Sequence, residues 1–85
     1  VKKIEATLAE REKTYGDYEK VALISQVIKD ILKEGEQYIY LKAYQLESLD
    51  MICNKMARIV NGDPKYKDSW HDIEGYAKLV SDRLK

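Results

Sequence analysis

Seven side chains carry most of the chemistry open to this 85-residue chain: Arg11, Tyr15, Lys55, Arg58, Trp70, Asp72 and Tyr76. Guanidinium and ammonium groups pair with phosphates, and arginine can do so with two parallel bonds. Tyrosine and tryptophan rings stack on flat ligands and on cations. The combination suits an anionic small molecule, a nucleotide above all. A second set is acidic: Glu47, Asp50, Asp68 and Asp72 are the carboxylates that could hold Mg²⁺ beside substrate phosphates. Nucleophilic chemistry has less to draw on. With one cysteine and one histidine, the chain cannot build a Cys/His metal cage by itself. Cys53 falls on the apolar arc of its helix, where it reads as a small hydrophobe. His71 alone makes no Ser-His-Asp relay.

Charge and composition narrow the partners. Fifteen Lys/Arg balance fifteen Asp/Glu, for a formal net charge of zero. Duplex nucleic acid is therefore excluded as an expected partner, because such binding lives on a basic excess. No apolar run nears the roughly 20 residues of a membrane span, so no membrane contact is expected. A cytoplasmic location is the expectation, in the host cytoplasm if the gene is viral. At 45% apolar and 35% charged, the chain has ordinary globular composition.

The elements that must position these side chains are helical. Gly16, Gly35 and Gly62 with Pro64 divide the chain into four stretches whose apolar residues recur at three and four. The first runs from about Lys2 to Lys13, with Ile4 and Leu8 on one side. The second opens at Asp17 as N-cap and closes toward Gly35, with Val21, Ile24, Ile28, Ile31 and Leu32 as its stripe. Residues 36–42 read as a loop or helical lead-in. A third helix is expected from about Ala43 to Val60, closed by Asn61-Gly62. A fourth starts near Asp68, with Asp68 or Ser69 as cap, and continues almost to Lys85. The fold class is all-α: a single helical domain over 1–85, a small hairpin or bundle of about four helices.

Helical phase then sorts the faces. Leu49, Ile52, Cys53, Met56, Ile59 and Val60 form the apolar arc of the third helix, opposite Glu47, Asp50, Asn54 and Arg58, with Lys55 flanking. Trp70, Ile73, Ala77, Val80 and Leu84 form that of the fourth. Gly75 lies off that arc with Leu79, and a mid-helix glycine costs about 1 kcal/mol against alanine. A second packing face there predicts a homo-oligomer. The short link from Asn61 to Lys67 makes the last two helices an antiparallel hairpin, which brings Arg58 toward Asp68 or Asp72.

Four motifs stand together: Arg11-x-x-Thr14-Tyr15-Gly16-Asp17, Lys55-Met56-Ala57-Arg58-Ile59, Asn61-Gly62-Asp63-Pro64, and the block from Asp68 to Ala77. From Leu8 to Leu84 they resemble a family of small helical proteins encoded by phages and prophages. That resemblance implies a viral accessory protein and no agreed activity. A structural analogy links the chain to the all-α nucleoside triphosphate pyrophosphohydrolases of the MazG type. Glu47-x-x-Asp50 matches the second acidic cluster of those enzymes, while the first is missing; Asp68 and Asp72 could replace it.

The leading expectation is a phage-type protein that binds a nucleotide-like anion without catalysis or cofactor, and so could sequester a host defence signal. Arg11, Tyr15, Lys55, Arg58, Asp72 and Tyr76 would converge on one concavity, with Trp70 as a further stacking ring. The alternatives are a Mg²⁺-dependent MazG-like pyrophosphohydrolase and an interaction module without a small ligand.

Overall fold

Four α-helices follow in chain order: α1 (Lys2–Tyr15), α2 (Tyr18–Leu32), α3 (Ala43–Asn61) and α4 (Lys67–Ser81). The computed structural model describes residues 2–84, and among these there is no strand. The all-α expectation is met. A single 3-10 turn, Tyr38–Tyr40, fills the segment read as a loop or lead-in.

The caps explain most boundaries. Asp17 has extended backbone, and its carboxylate accepts the Lys20 N–H at 3.2 Å, which fixes the start of α2. Gln45 Oε1 accepts the Lys42 N–H at 2.9 Å and starts α3. The expected cap of α4 needs correction. Tyr66 holds that position, the helix opens at Lys67, and Asp68 falls in its first turn. α4 ends at Ser81, short of Lys85, which lies outside the described residues.

α3 is the middle of the molecule, with α2 packed along one flank and α4 along the other. Two side chains fix those directions. Cys53 feels the charge of Lys29 on α2, whereas Lys55 reaches Asp72 on α4. Those two α3 positions are about 200° apart around the helix. No substantial contact between α2 and α4 closes the arrangement. The result is a layer of three helices rather than a closed bundle.

Its seams are thin. The apolar residues buried within the chain are Val21, Cys53, Ala57 and Ile59, joined by Ser25, Ser48 and Ser69. Small residues let the helix backbones approach closely. The Ser25 hydroxyl pays for this: it is buried and has no hydrogen-bond partner. The apolar arcs read from the sequence are only half used. Ile31, Met56, Val60, Trp70 and Leu84 are all exposed.

α1 departs furthest from expectation. Every residue from Lys3 to Lys13 is exposed, including Ile4 and Leu8. Only its C-terminal end meets the rest of the molecule. The chain is accordingly long, 45 × 26 × 25 Å, with a radius of gyration of 14.6 Å against about 12 Å for a compact chain of this length.

Candidate functional site

The end of the molecule where the α1–α2 turn meets the α3–α4 loop is held backbone against backbone. Gly16 sits at φ +82°, a conformation that L side chains rarely adopt. A Cβ placed there would meet the Asn61 amide and carbonyl at 2.6 Å. Gly62 approaches the Thr14 carbonyl and the Tyr15 backbone so closely that a Cβ would overlap them. Polar bonds complete the junction. Asn61 Nδ2 donates to the carbonyls of Tyr15 at 3.1 Å and Asp17 at 3.3 Å, and the Asp63 N–H donates to Thr14 at 2.7 Å. The Thr14–Asp17 and Asn61–Pro64 motifs thus grip each other. Asp17, spent as a cap, takes the Lys20 N–H and sets a negative charge at the α2 N-terminus, which disfavours an anion there.

On this junction stands an aromatic and cationic cluster. The Arg58 guanidinium lies over the Tyr15 ring, its carbon 4.4 Å from the ring centroid. Tyr66 meets Tyr15 edge to face, with centroids 5.8 Å apart. The Tyr66 phenol donates to Asp68 at 3.2 Å. That bond, followed by the negative charge of Asp68, holds the Tyr66 pKa above its ordinary value. Arg58 therefore does not pair with Asp68 or Asp72, as the hairpin geometry had predicted. Among the described residues its N–H groups meet no protein acceptor.

One turn back along α3, Lys55 takes Asp72 instead, Nζ to carboxylate at 3.0 Å, with the Lys55 side chain only 12% exposed. Further along α4, Tyr76 and Leu79 wall a shallow groove of about 480 Å³ floored by Gly75 and flanked by His71 and Asp72. A Cβ at Gly75 would meet nothing within 4 Å. The glycine therefore does not accommodate a neighbouring backbone of its own chain.

The expected concavity is thus a strip. Tyr15 and Arg58 meet at one end, Lys55 and Asp72 join in the middle, and Tyr76 stands beyond them, each step about one helical turn. Two further members sit at the margin of the strip. Arg11 is exposed on α1, one helical turn before Tyr15. Trp70 donates its indole N–H to the Pro64 carbonyl at 2.8 Å and so ties down the loop. Tyr66 joins the cluster unforeseen; its only signal was its place beside Asp68 at a helix start.

The acidic set does not assemble. Asp68 is engaged by Tyr66 and Asp72 by Lys55, while Glu47 borders, with Tyr44 and Arg83, an adjoining groove that shares Tyr76 and Leu79 with the one over Gly75. Among the described residues no three His, Cys, Asp or Glu side chains are grouped to hold a metal ion. Cys53 is buried, and burial followed by the charge of Asp50 raises its thiol pKa, which suppresses the nucleophilic thiolate. No helix among the described residues is long and apolar enough to cross a membrane.

Residues 2–84 match the family described as Domain of unknown function (DUF6378). No curated protein and no solved structure matches the chain.

Proposed function

Since the chain belongs to the DUF6378 family, whose description carries no activity, the reading must come from the site, and we propose that it binds a nucleotide-like anion on the Tyr15–Arg58–Tyr76 strip without turning it over. One observation carries this: a half-buried guanidinium is laid on an aromatic face with its donors open. The charge that could have neutralised it nearby, Asp68, is bonded to Tyr66. A guanidinium held flat by a ring is preorganised for bidentate contact with phosphate. The apolar groove of Tyr76 and Leu79 lies about two helical turns away along the same strip, on the length scale that separates a base from its phosphates. Lys55 and Asp72 between them can bond to a sugar or to a second phosphate.

Sequestration fits this chemistry better than hydrolysis does. Pyrophosphohydrolysis on Mg²⁺ needs converging carboxylates, and Glu47, Asp50, Asp68 and Asp72 are dispersed or already engaged. The phage origin and the defence signal belong to this proposal through the motif resemblance alone. A homo-oligomer belongs to it as well, because so few apolar residues are buried within one chain.

The test is calorimetry against a panel of nucleoside mono-, di- and triphosphates and cyclic dinucleotides, with and without Mg²⁺, followed by product analysis. Retention of intact ligand is the expected result. Arg58→Ala should weaken binding about ten- to a hundredfold, the equivalent of 1.5–3 kcal/mol for a charge-assisted contact. Arg58→Lys should recover only part, since ammonium neither stacks nor forks. Release of pyrophosphate would instead favour the hydrolase, and no heat with any nucleotide at millimolar concentration would end the reading.

A further inference from the structure

The strip occupies one side of the helix layer; the other side is apolar and uncovered. On α2, positions 24, 27, 28 and 31 hold Ile, Val, Ile and Ile; on α3, positions 49, 52, 56 and 60 hold Leu, Ile, Met and Val. On α4, positions 73, 77, 80 and 84 hold Ile, Ala, Val and Leu, the last just past the helix end. Every rung of these three ladders, at spacings of three and four, is apolar. Their phases agree. Arg58 marks the strip side of α3, and at about 100° per residue positions 49, 52, 56 and 60 lie about 120–180° from it. With the helices antiparallel to their neighbours, the three ladders fall on the side opposite the strip. A groove of about 330 Å³ between α3 and α4, walled by Leu41, Leu49, Ile52, Val80 and Leu84, opens on that side.

None of these twelve residues is buried in one chain: six are exposed and six are half-buried. Val60 is 71% exposed, Ile31 64%, and Trp70, beside the α4 ladder, 55%. The chain presents 6806 Å² to solvent. A compact monomer of 9.9 kDa would present about 5,200 Å². The excess is about 1,600 Å². Obligate homodimers bury roughly 1,000–2,500 Å² on each subunit, so one such interface would absorb it. α1 contributes to the excess, with Ile4 and Leu8 exposed among its charged residues. On the layer, Val27, Ile31, Met56, Val60 and Leu84 add exposed apolar surface.

We propose that this face of α2, α3 and α4 is covered by the same face of a second copy, which closes two three-helix layers into one six-helix core. The occupant follows from the face itself. It carries no run of charge that would select an oppositely charged partner, and the zero net charge places no repulsion between copies. A two-fold axis through the face pairs each ladder with an apolar surface of equal extent. The polar strips then lie on the two outer surfaces, open to ligand. The proposal rests on the homo-oligomeric part of the functional reading and not on its ligand, so a failed nucleotide panel leaves it standing.

Sedimentation equilibrium on the wild type between 1 and 100 µM tests it, alongside Val60→Glu and Ile31→Lys on the face and Gln26→Lys on α2, turned about 100–160° from each α2 ladder position. Gln26 is exposed. The sole tryptophan, Trp70, reports locally, since its emission should shift to shorter wavelength as copies pair. A wild-type dimer, with Val60→Glu and Ile31→Lys monomeric or unfolded and Gln26→Lys unchanged, is expected. Unfolding counts in favour, because an exposed position in a lone chain would tolerate glutamate. A wild-type monomer at 100 µM overturns the proposal. So does a dimer whose mass and emission both face variants leave intact, or one that Gln26→Lys breaks equally.

Discussion

Two regions of this molecule solve the problem of a small chain in opposite ways. At the junction of the α1–α2 turn with the α3–α4 loop, backbone meets backbone, and Gly16, Asn61 and Gly62 leave no room for another atom. Across the α2–α3–α4 face, apolar side chains stand in water with nothing over them. The first region is finished within one chain. The second is unfinished until something covers it. The junction orients Arg58 and Tyr15 irrespective of a partner, so a ligand site there need not await assembly. The face does the reverse: it adds little to the order of one chain, and under the proposed pairing it would add its stability to two.

The largest expected effect comes from breaking the finished region. Gly62→Ala forces a Cβ into the Thr14 carbonyl and the Tyr15 backbone, atoms that cannot rotate away. Overpacking of this kind costs on the order of 3 kcal/mol, and Gly16→Ala adds strain at positive φ to its clash with Asn61. For a chain of this size that amounts to a drop of about 12–24 °C in melting temperature if the unfolding is two-state. Thermal unfolding by circular dichroism reads it. A loss under about 4 °C for both variants would mean that the junction is softer than its contacts require.

A third glycine gives the opposite sign and sharpens the contrast. Gly75 has open space where its Cβ would be, and its φ is ordinary for a helix. Gly75→Ala should therefore stabilise α4 by about 0.5–1 kcal/mol. The new methyl also partly fills the groove beside Tyr76 and Leu79. A variant that melts higher yet binds nucleotide more weakly would separate the strip's function from its fold. One that melts higher and binds unchanged would remove the Tyr76 groove from the site while leaving Arg58 in it.

Much of this was legible in the residues, and the remainder was hidden for definable reasons. Asp17 as a cap, the helix breaks and the all-α class follow from local chemistry, and the structure repeats them. The apolar arcs of α3 and α4 were also legible, but periodicity marks a face as apolar without saying what buries it. Met56, Val60 and Trp70 read as core and stand exposed for that reason. The site was half legible. Arg58, Tyr15, Lys55 and Asp72 do meet, yet as two separate pairs. Helical phase puts Lys55 and Arg58 near one side of α3; it does not decide which takes the carboxylate. Arg58 yields Asp72 because Lys55 lies level with it, and a tyrosine ring from another helix is the surface left to Arg58. The grip of Gly16 on Gly62 lay beyond reach, since the two are far apart in sequence and neither has a side chain to pattern.

The smallest effect concerns protons at the finished end. Tyr66 donates its phenol hydrogen to Asp68, so losing that proton breaks the bond and sets two negative charges side by side. The folded pKa is accordingly raised above the ordinary value near 10. The sign follows from linkage. The neutral phenol is favoured by the folded state, so its contribution is complete below about pH 10 and fades as pH rises through the higher folded value. Tyrosines labelled with ¹³C at Cζ allow the titration to be followed one ring at a time. The Tyr66 resonance should move at lower pH in Asp68→Ala than in the wild type, because both the acceptor and its charge are gone. An unchanged midpoint would mean that the bond does not persist in solution. Asp68 would then be at liberty to neutralise Arg58, and the open guanidinium on which the binding reading depends would be lost with it. A shifted midpoint keeps the Tyr66–Asp68 bond as the structure has it.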